Sequence, residues 1–220
     1  MPGRADNFSI RLRRRLFWIR CRVRSREIEK LHKSGKLWRV PKNILNLETK
    51  GKAKGSFFAK QETLPYVAKG IVRGQATSDA CVPAVCRMLI FDHSPHLERD
   101  INFSESYLRH FLRTDSEGST VSAIPSVLGL AGLETYEYRD DLTLAQLSEA
   151  VGRGFAVVSV RGKWAGWHVL IVEQITAQWV ALRDSLPDNV GSSYLLGRAD
   201  FEAAWLTQKN HCGIGVIVVK

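Results

Sequence analysis

Three apolar runs that follow closely on one another in the second half of the chain constrain its fold most. Phe155-Ala-Val-Val-Ser-Val160 is continuous and apolar, as a strand covered on both faces is. His168-Val-Leu-Ile-Val172 and Trp179-Val-Ala-Leu-Arg183 come next, with a turn near Thr176-Ala-Gln178 between them. Neighbours joined by so short a turn run antiparallel. Asp184 to Ser193 reads as a loop, Ala199 to Trp205 as a short helix, and Gly213 to Val219 as a closing strand.

The segment before these strands has a different texture. Tyr66 to Val72 reads as a short strand or an extended entry. An apolar helix follows from Val82 to about Phe91, with Asp79 or Ser78 as its N-cap. Residues 104–113 and 119–131 read as helices, the second ending at Gly132. Leu142 to Val151 reads as a further helix, capped by Thr143 and stopped at Gly152. Helices first and an antiparallel sheet after them indicate an α+β domain.

Charge divides the chain. Residues 1–74 hold 20 Lys/Arg and 5 Asp/Glu, giving +15, whereas residues 75–220 hold 12 and 17, giving −5, within a net charge of +10. Two segments are therefore expected: a basic N-terminal extension and linker over 1–60, and a folded domain over 61–220. Arg11 to Arg24, continued through Ile28 and Leu31, has the spacing of a basic amphipathic helix, with Leu12, Leu16, Ile19, Val23 and Leu31 near one another. Such a helix suits an anionic membrane surface, a nucleic acid or an acidic partner. It equally suits packing its apolar stripe on the acidic domain. Residues 49–60 read as a flexible basic linker.

No apolar run reaches the ~18 residues of a membrane span, and Arg20 interrupts Leu16-Phe-Trp-Ile19, which is too short for a signal peptide. A cytoplasmic protein is expected, with export by a route that reads other signals left open. Cys21, Cys81, Cys86 and Cys212 contain no Cys-x-x-Cys pair and do not resemble a disulfide framework. Asp92-His93 and His96 read as a solvated loop rather than as metal ligands, since no second cluster matches them. No cofactor is expected.

Chemistry is carried by three short segments: Gln75-Ala-Thr-Ser-Asp-Ala-Cys81, Gly166-Trp-His168, and Asp184-Ser185. Cys81 falls at the expected start of a helix, where the helix terminus favours the thiolate. His168 opens a strand and Asp184 ends the next, so an antiparallel pairing brings the carboxylate to the imidazole. Gln75, six residues before Cys81, supplies an amide donor for an oxyanion, with the Cys81 N–H as the second. Each residue also has an ordinary reading: a buried structural thiol, a strand-edge His, a turn-initiating Asp and an exposed loop Gln. The ordered set is what argues for chemistry.

The segment Asp79-Ala-Cys81-Val-Pro-Ala-Val-Cys86-Arg-Met, with Gln75 before it, resembles the bacteriocin-processing, double-glycine leader peptidases and their free-standing papain-like relatives. The later His with its apolar strand, the Asp at a strand end, and Gly191 to Trp205 resemble that family too. The likeness spans roughly residues 72–220 and implies a papain-like fold. It also implies Cys81 as nucleophile, His168 as general base and acid, Asp184 as orienting residue and Gln75 as oxyanion donor. Val82 stands where the family has Gly, and Ser185 where Asp-Pro is common. The chain has no Gly-x-x-x-x-Gly-Lys-Ser/Thr nucleotide site, so processing coupled to export by the same chain is not expected. The implied activity is peptide-bond cleavage in a peptide or protein substrate. Two other outcomes stay open: a transglutaminase, deamidase or competition toxin using the same thioester, and a nucleic-acid or membrane binder using residues 1–60 on an inactive enzyme fold.

Overall fold

Alternation along the central strands sorts their apolar side chains onto two faces, and helices cover both. The computed structural model describes residues 55–133, 135–162, 166–206 and 213–219. In chain order the elements are β1 (Thr63–Pro65), α1 (Cys81–His93), α2 (Glu105–Phe111), α3 (Ile124–Leu130), β2 (Thr135–Leu142) and α4 (Leu144–Arg153). Then come β3 (Gly154–Gly162), β4 (Gly166–Ile175), β5 (Trp179–Asp184), β6 (Ser192–Gly197), α5 (Arg198–Trp205) and β7 (Gly213–Val219). The strands form one antiparallel sheet in the order β1-β6-β5-β4-β3-β7-β2. The fold is α+β, as expected, and no helix among the described residues is long and apolar enough to cross a membrane.

On one face Phe155, Val157, Val169 and Ile171 pack with α1, α2 and α3. On the other, Ala156, Val158, Val160, Leu170, Val172 and Leu182 pack with Leu147 and Val151 of α4 and with Phe201 and Trp205 of α5. The continuous apolar run in β3 thus has the cause inferred for it: both faces are dry. Helix α1 is apolar nearly all round for the same reason, burying Val82, Val85, Cys86, Met88, Leu89, Ile90 and Phe91. Each such side chain contributes about 1.5–3 kcal/mol on leaving water. That burial fixes the helix firmly enough to aim its first residue.

Several elements differ from the sequence reading. The N-cap of α1 is Ala80, with no side-chain cap bond, because Asp79 is bound by Arg109 instead. Thr143 does cap α4, in a reciprocal box with Gln146, but Gly152 lies inside that helix and Gly154 ends it. Residues 119–131 begin as a 3-10 turn, Val121–Ala123, before α3 starts at Ile124. Tyr66 to Val72 forms no strand, whereas Thr63–Pro65 just before it pairs with β6. β2 and β6 were not read from the sequence at all. Of the stretch read as a linker, residues 55–60 form turns packed on the fold, with Ser56 and Phe58 buried. The basic helix at residues 11–31, Cys21 and Cys212 lie outside the described residues.

Candidate active site

Cys81 is the first residue of α1, and its first-turn N–H has no carbonyl one turn back to bond. The thiol is partly exposed, while Cys86, on the same helix, is fully buried. Burial pushes the Cys86 thiol well above its ordinary range, and the charge of Cys81 adds to this. Position along one helix therefore separates a thiol that can react from one that is part of the core.

His168 and Asp184 meet across the β4–β5 ladder. The register pairs Asp184 with Leu170, so His168 lies two residues farther along the same face of β4. The reach is diagonal, and the imidazole Nε2 lies 2.7 Å from Asp184 Oδ1. Both side chains are buried. Asp184 also accepts from the Leu186 N–H at Oδ1 (2.8 Å), and from the Phe57 N–H (2.8 Å) and the Tyr194 hydroxyl (2.9 Å) at Oδ2. These four donors occupy the acceptor sites of an ionised carboxylate. A carboxylate so held accepts only, so Nε2 carries the proton and Nδ1 is the basic nitrogen of the neutral ring.

Cys81 is close enough to His168 to act on its proton affinity. Burial alone lowers the affinity of the imidazole for its proton. The charge and hydrogen bond of Asp184, reinforced by Cys81, outweigh that and raise the pKa to about 10. The arrangement thus favours an imidazolium beside the thiol, which is the charge pattern that activates a sulfur nucleophile.

Gln75 lies in the loop before α1, but not as an exposed loop residue. Its side chain is fully buried. Oε1 accepts from the Ser185 hydroxyl at 2.7 Å and Nε2 donates to the Thr77 carbonyl at 2.8 Å. Its backbone is clasped too, donating to Ser185 O (3.0 Å) and accepting from the Asn189 N–H (2.8 Å). This approach requires glycine at position 74, where a Cβ would fall 1.9 Å from the Val190 nitrogen. The last residue of β5 and the one after it thereby hold two partners: Asp184 binds His168, and Ser185 binds Gln75.

A second clamp fixes the loop from Gln75 to Cys81. Arg109 of α2 grips Asp79 through both guanidinium nitrogens at 2.9 and 2.8 Å and also reaches the Thr77 hydroxyl. Desolvation opposes the charge on Asp79, but the bonds from Thr77 and Arg109 hold its carboxyl below the usual range. The Ala76 N–H donates to Glu105 at 2.9 Å. Among the described residues no group of three His, Cys, Asp or Glu side chains is placed to hold a metal ion.

Sequence reasoning missed Tyr194, Phe57 and Arg109. Tyr194 lies on β6, a strand with no clear signal of its own, and Phe57 lay in a stretch judged by its lysines. Tyr194→Phe removes one of the two donors to Asp184 Oδ2 while keeping the ring. A buried bond to a charged group is worth about 1.5 kcal/mol or more. Urea unfolding of the variant is expected to show a loss of that size. An unchanged midpoint would mean that the hydroxyl bond contributes nothing net.

No protein-family model matches the chain, and no curated protein sequence does. Among solved structures the chain is similar to the peptidase domain of Streptococcus ComA, a bi-functional ABC transporter involved in quorum sensing. The identity is 20% and the TM-score 0.49, over 67% of this chain and 96% of that one. It is also similar to a double glycine motif protease from an AMS/PCAT transporter, solved in complex with the leader peptide. There the identity is 14% and the TM-score 0.49, over 78% of this chain and 99% of that one. The Pseudomonas avirulence protein AvrPphB matches at 12% identity and a TM-score of 0.35, over 68% of this chain and 96% of that one.

Proposed function

We propose that this chain is a cysteine peptidase whose nucleophile is Cys81, whose general base and acid is His168, and whose orienting residue is Asp184. The observation that carries the reading is a buried imidazole beside both a carboxylate with four donors and a partly exposed thiol at a helix start. The catalytic unit occupies residues 61–220, with residues 55–58 docked on it. The substrate is a peptide or protein.

The reaction proceeds in two halves. The Cys81 thiolate attacks the scissile carbonyl carbon, and its electron pair forms the C–S bond while the carbonyl oxygen becomes an oxyanion. The Cys81 N–H and the second proton of the Gln75 amide nitrogen serve that oxyanion. Collapse breaks the C–N bond, and the imidazolium gives its Nδ1 proton to the leaving amine. Nδ1 then removes a proton from water, the hydroxide adds to the thioester, and the acid leaves as the C–S bond breaks. The ring regains its proton, so the cycle closes. Asp184 stays ionised and holds the ring in one tautomer throughout.

Brief alkylation with limiting iodoacetamide at neutral pH, followed by peptide mapping, tests the assignment. Cys81 should label far faster than Cys86, and faster than Cys21 and Cys212. His168→Ala should abolish that preference. Equal, slow labelling at all four would sink the proposal. Cleavage itself should fall as pH rises through about 10, where His168 loses the proton it must give the leaving amine. The same shift contributes stability that is present in full below about pH 6.5, the ordinary imidazole value, and is lost as pH rises toward 10. Incubation with a peptide pool decides the product class. New chain termini dependent on Cys81 mean a peptidase, and a mass shift of intact peptides means a deamidase or acyl transferase.

A further inference from the structure

A short segment that enters from before the sheet lies directly over the His168–Asp184 pair. The Phe57 ring stacks on the His168 imidazole, with centroids 4.9 Å apart and planes within 15°. The backbone N–H of the same residue donates to Asp184 Oδ2 at 2.8 Å. One residue thus touches both members of the pair, one through its ring and the other through its main chain.

The surroundings fix this residue in place. Phe58 is buried and meets Phe57 edge-on at 5.1 Å and Tyr194 edge-on at 6.5 Å. Tyr194 in turn donates to the oxygen that Phe57 serves. Two turn bonds, Ala59 N–H to Ser56 O (3.2 Å) and Gln61 N–H to Phe58 O (3.0 Å), shape the backbone around the pair of rings. Phe58 does the anchoring, and it is the more deeply buried of the two. Phe57 is only partly buried, and its ring face is used on an imidazole.

Parallel stacking has two physical consequences. It restricts rotation of the imidazole about its own side-chain bonds, which keeps Nε2 on Asp184. It also places an aromatic face against a ring that carries positive charge, an attractive arrangement that works best out of water. A purely aliphatic plug would exclude water but would supply no such face.

We infer that Phe57 is a positioning residue of the thiol centre, holding the plane of His168 and shielding the His168–Asp184 hydrogen bond from water. The inference rests on the peptidase reading for its catalytic consequence, but not for its geometry. On this view the active centre draws on residue 57, in a segment whose composition suggests only a linker.

The test uses the full chain and two readouts. One is the rate of Cys81 alkylation by iodoacetamide. The other is the low-field proton resonance of His168 Nε2–H, visible by NMR only while its exchange with water is slow. Phe57→Ala should slow alkylation about tenfold or more and broaden the resonance away, with the far-UV dichroism unchanged. Phe57→Tyr should restore both, whereas Phe57→Leu, which fills space without a ring face, should restore neither fully. An unchanged resonance and rate in Phe57→Ala would overturn the inference, as would a leucine variant equal to the tyrosine one. If the alanine variant fails to fold, the leucine–tyrosine comparison decides alone. Wild-type Cys81 reacting no faster than in the urea-unfolded chain would sink the peptidase reading instead. The resonance, which needs only His168 and Asp184, would then still decide the role of Phe57.

Discussion

Cys81→Ala is expected to abolish Cys81-dependent cleavage, lowering kcat/KM by roughly 10⁴–10⁶-fold, while the protein folds and melts much as before. The size of the loss follows from the role proposed for the residue. On the mechanism proposed above, no thioester forms without the sulfur and His168 has no nucleophile to serve, so the remaining parts act only by binding and by oxyanion contacts. The fold should survive because Cys81 is partly exposed at a helix start, and Ala suits a helix. Cys86→Ala is the matched control. It removes a thiol from the same helix, and because that thiol faces the core, cleavage by the folded protein should stay within about twofold of the parent. Peptide turnover followed by mass spectrometry reads both variants. Activity surviving in Cys81→Ala would mean that another side chain is the nucleophile.

Arg183→Met is expected to cost about 3–5 kcal/mol of folding free energy, the largest stability effect foreseen for a single substitution. Arg183 precedes Asp184 on β5 and therefore points to the opposite face of the sheet, where it is fully buried. Its guanidinium pairs with Glu173 of β4 at 2.7 Å and with Asp92 of α1 at 2.6 Å, donates to the Ile71 carbonyl at 2.8 Å, and lies over the Phe155 ring. The two carboxylates in turn accept from the Lys69 and Ile71 N–H groups, which fastens the irregular segment leading to Gln75. Gly70 is required there, since a Cβ would sit 2.3 Å from Asp92 Oδ2. Met fills much of the volume of Arg but leaves the buried Glu173 and the largely covered Asp92 without their cation, and that is where the cost arises. Thermal melting should fall by roughly 10 °C. A fall under about 2 °C would mean that water or a proton compensates the carboxylates at little cost. Replacing Glu173 as well should not restore stability, because the Lys69 N–H would then lose its acceptor.

Legibility in the sequence tracked how local each determinant is. Helix α1 could be read because its apolar residues are contiguous, and α4 because Thr143 and Gln146 are a capping pair that needs no tertiary partner. β3, β4 and β5 could be read because burial on both faces makes their runs apolar, and β7 because its own run, Gly213 to Val219, is apolar in sequence. β6 could not, since Ser192-Ser-Tyr-Leu-Leu-Gly197 has neither a continuous apolar run nor strict alternation, and it becomes a strand by pairing with β5 and β1. Residues 55–60 differ from the sequence expectation for the same reason. Their lysines suggest solvent, and only the fold shows Phe57 and Phe58 against His168 and Tyr194.

Local pattern along the chain is enough for the α+β order of elements, the helix that begins at Cys81, and the strand ends that carry His168 and Asp184. Each of these follows from hydrophobic period and chain order, which act over a few residues. Only the tertiary structure decided which partners those residues meet. The four donors on Asp184, the burial of Gln75 against Ser185 and the Phe57 ring on His168 join positions up to 127 residues apart. Such contacts are set by sheet register and close packing, and a one-residue slip of β5 would turn Asp184 to the other face of the sheet.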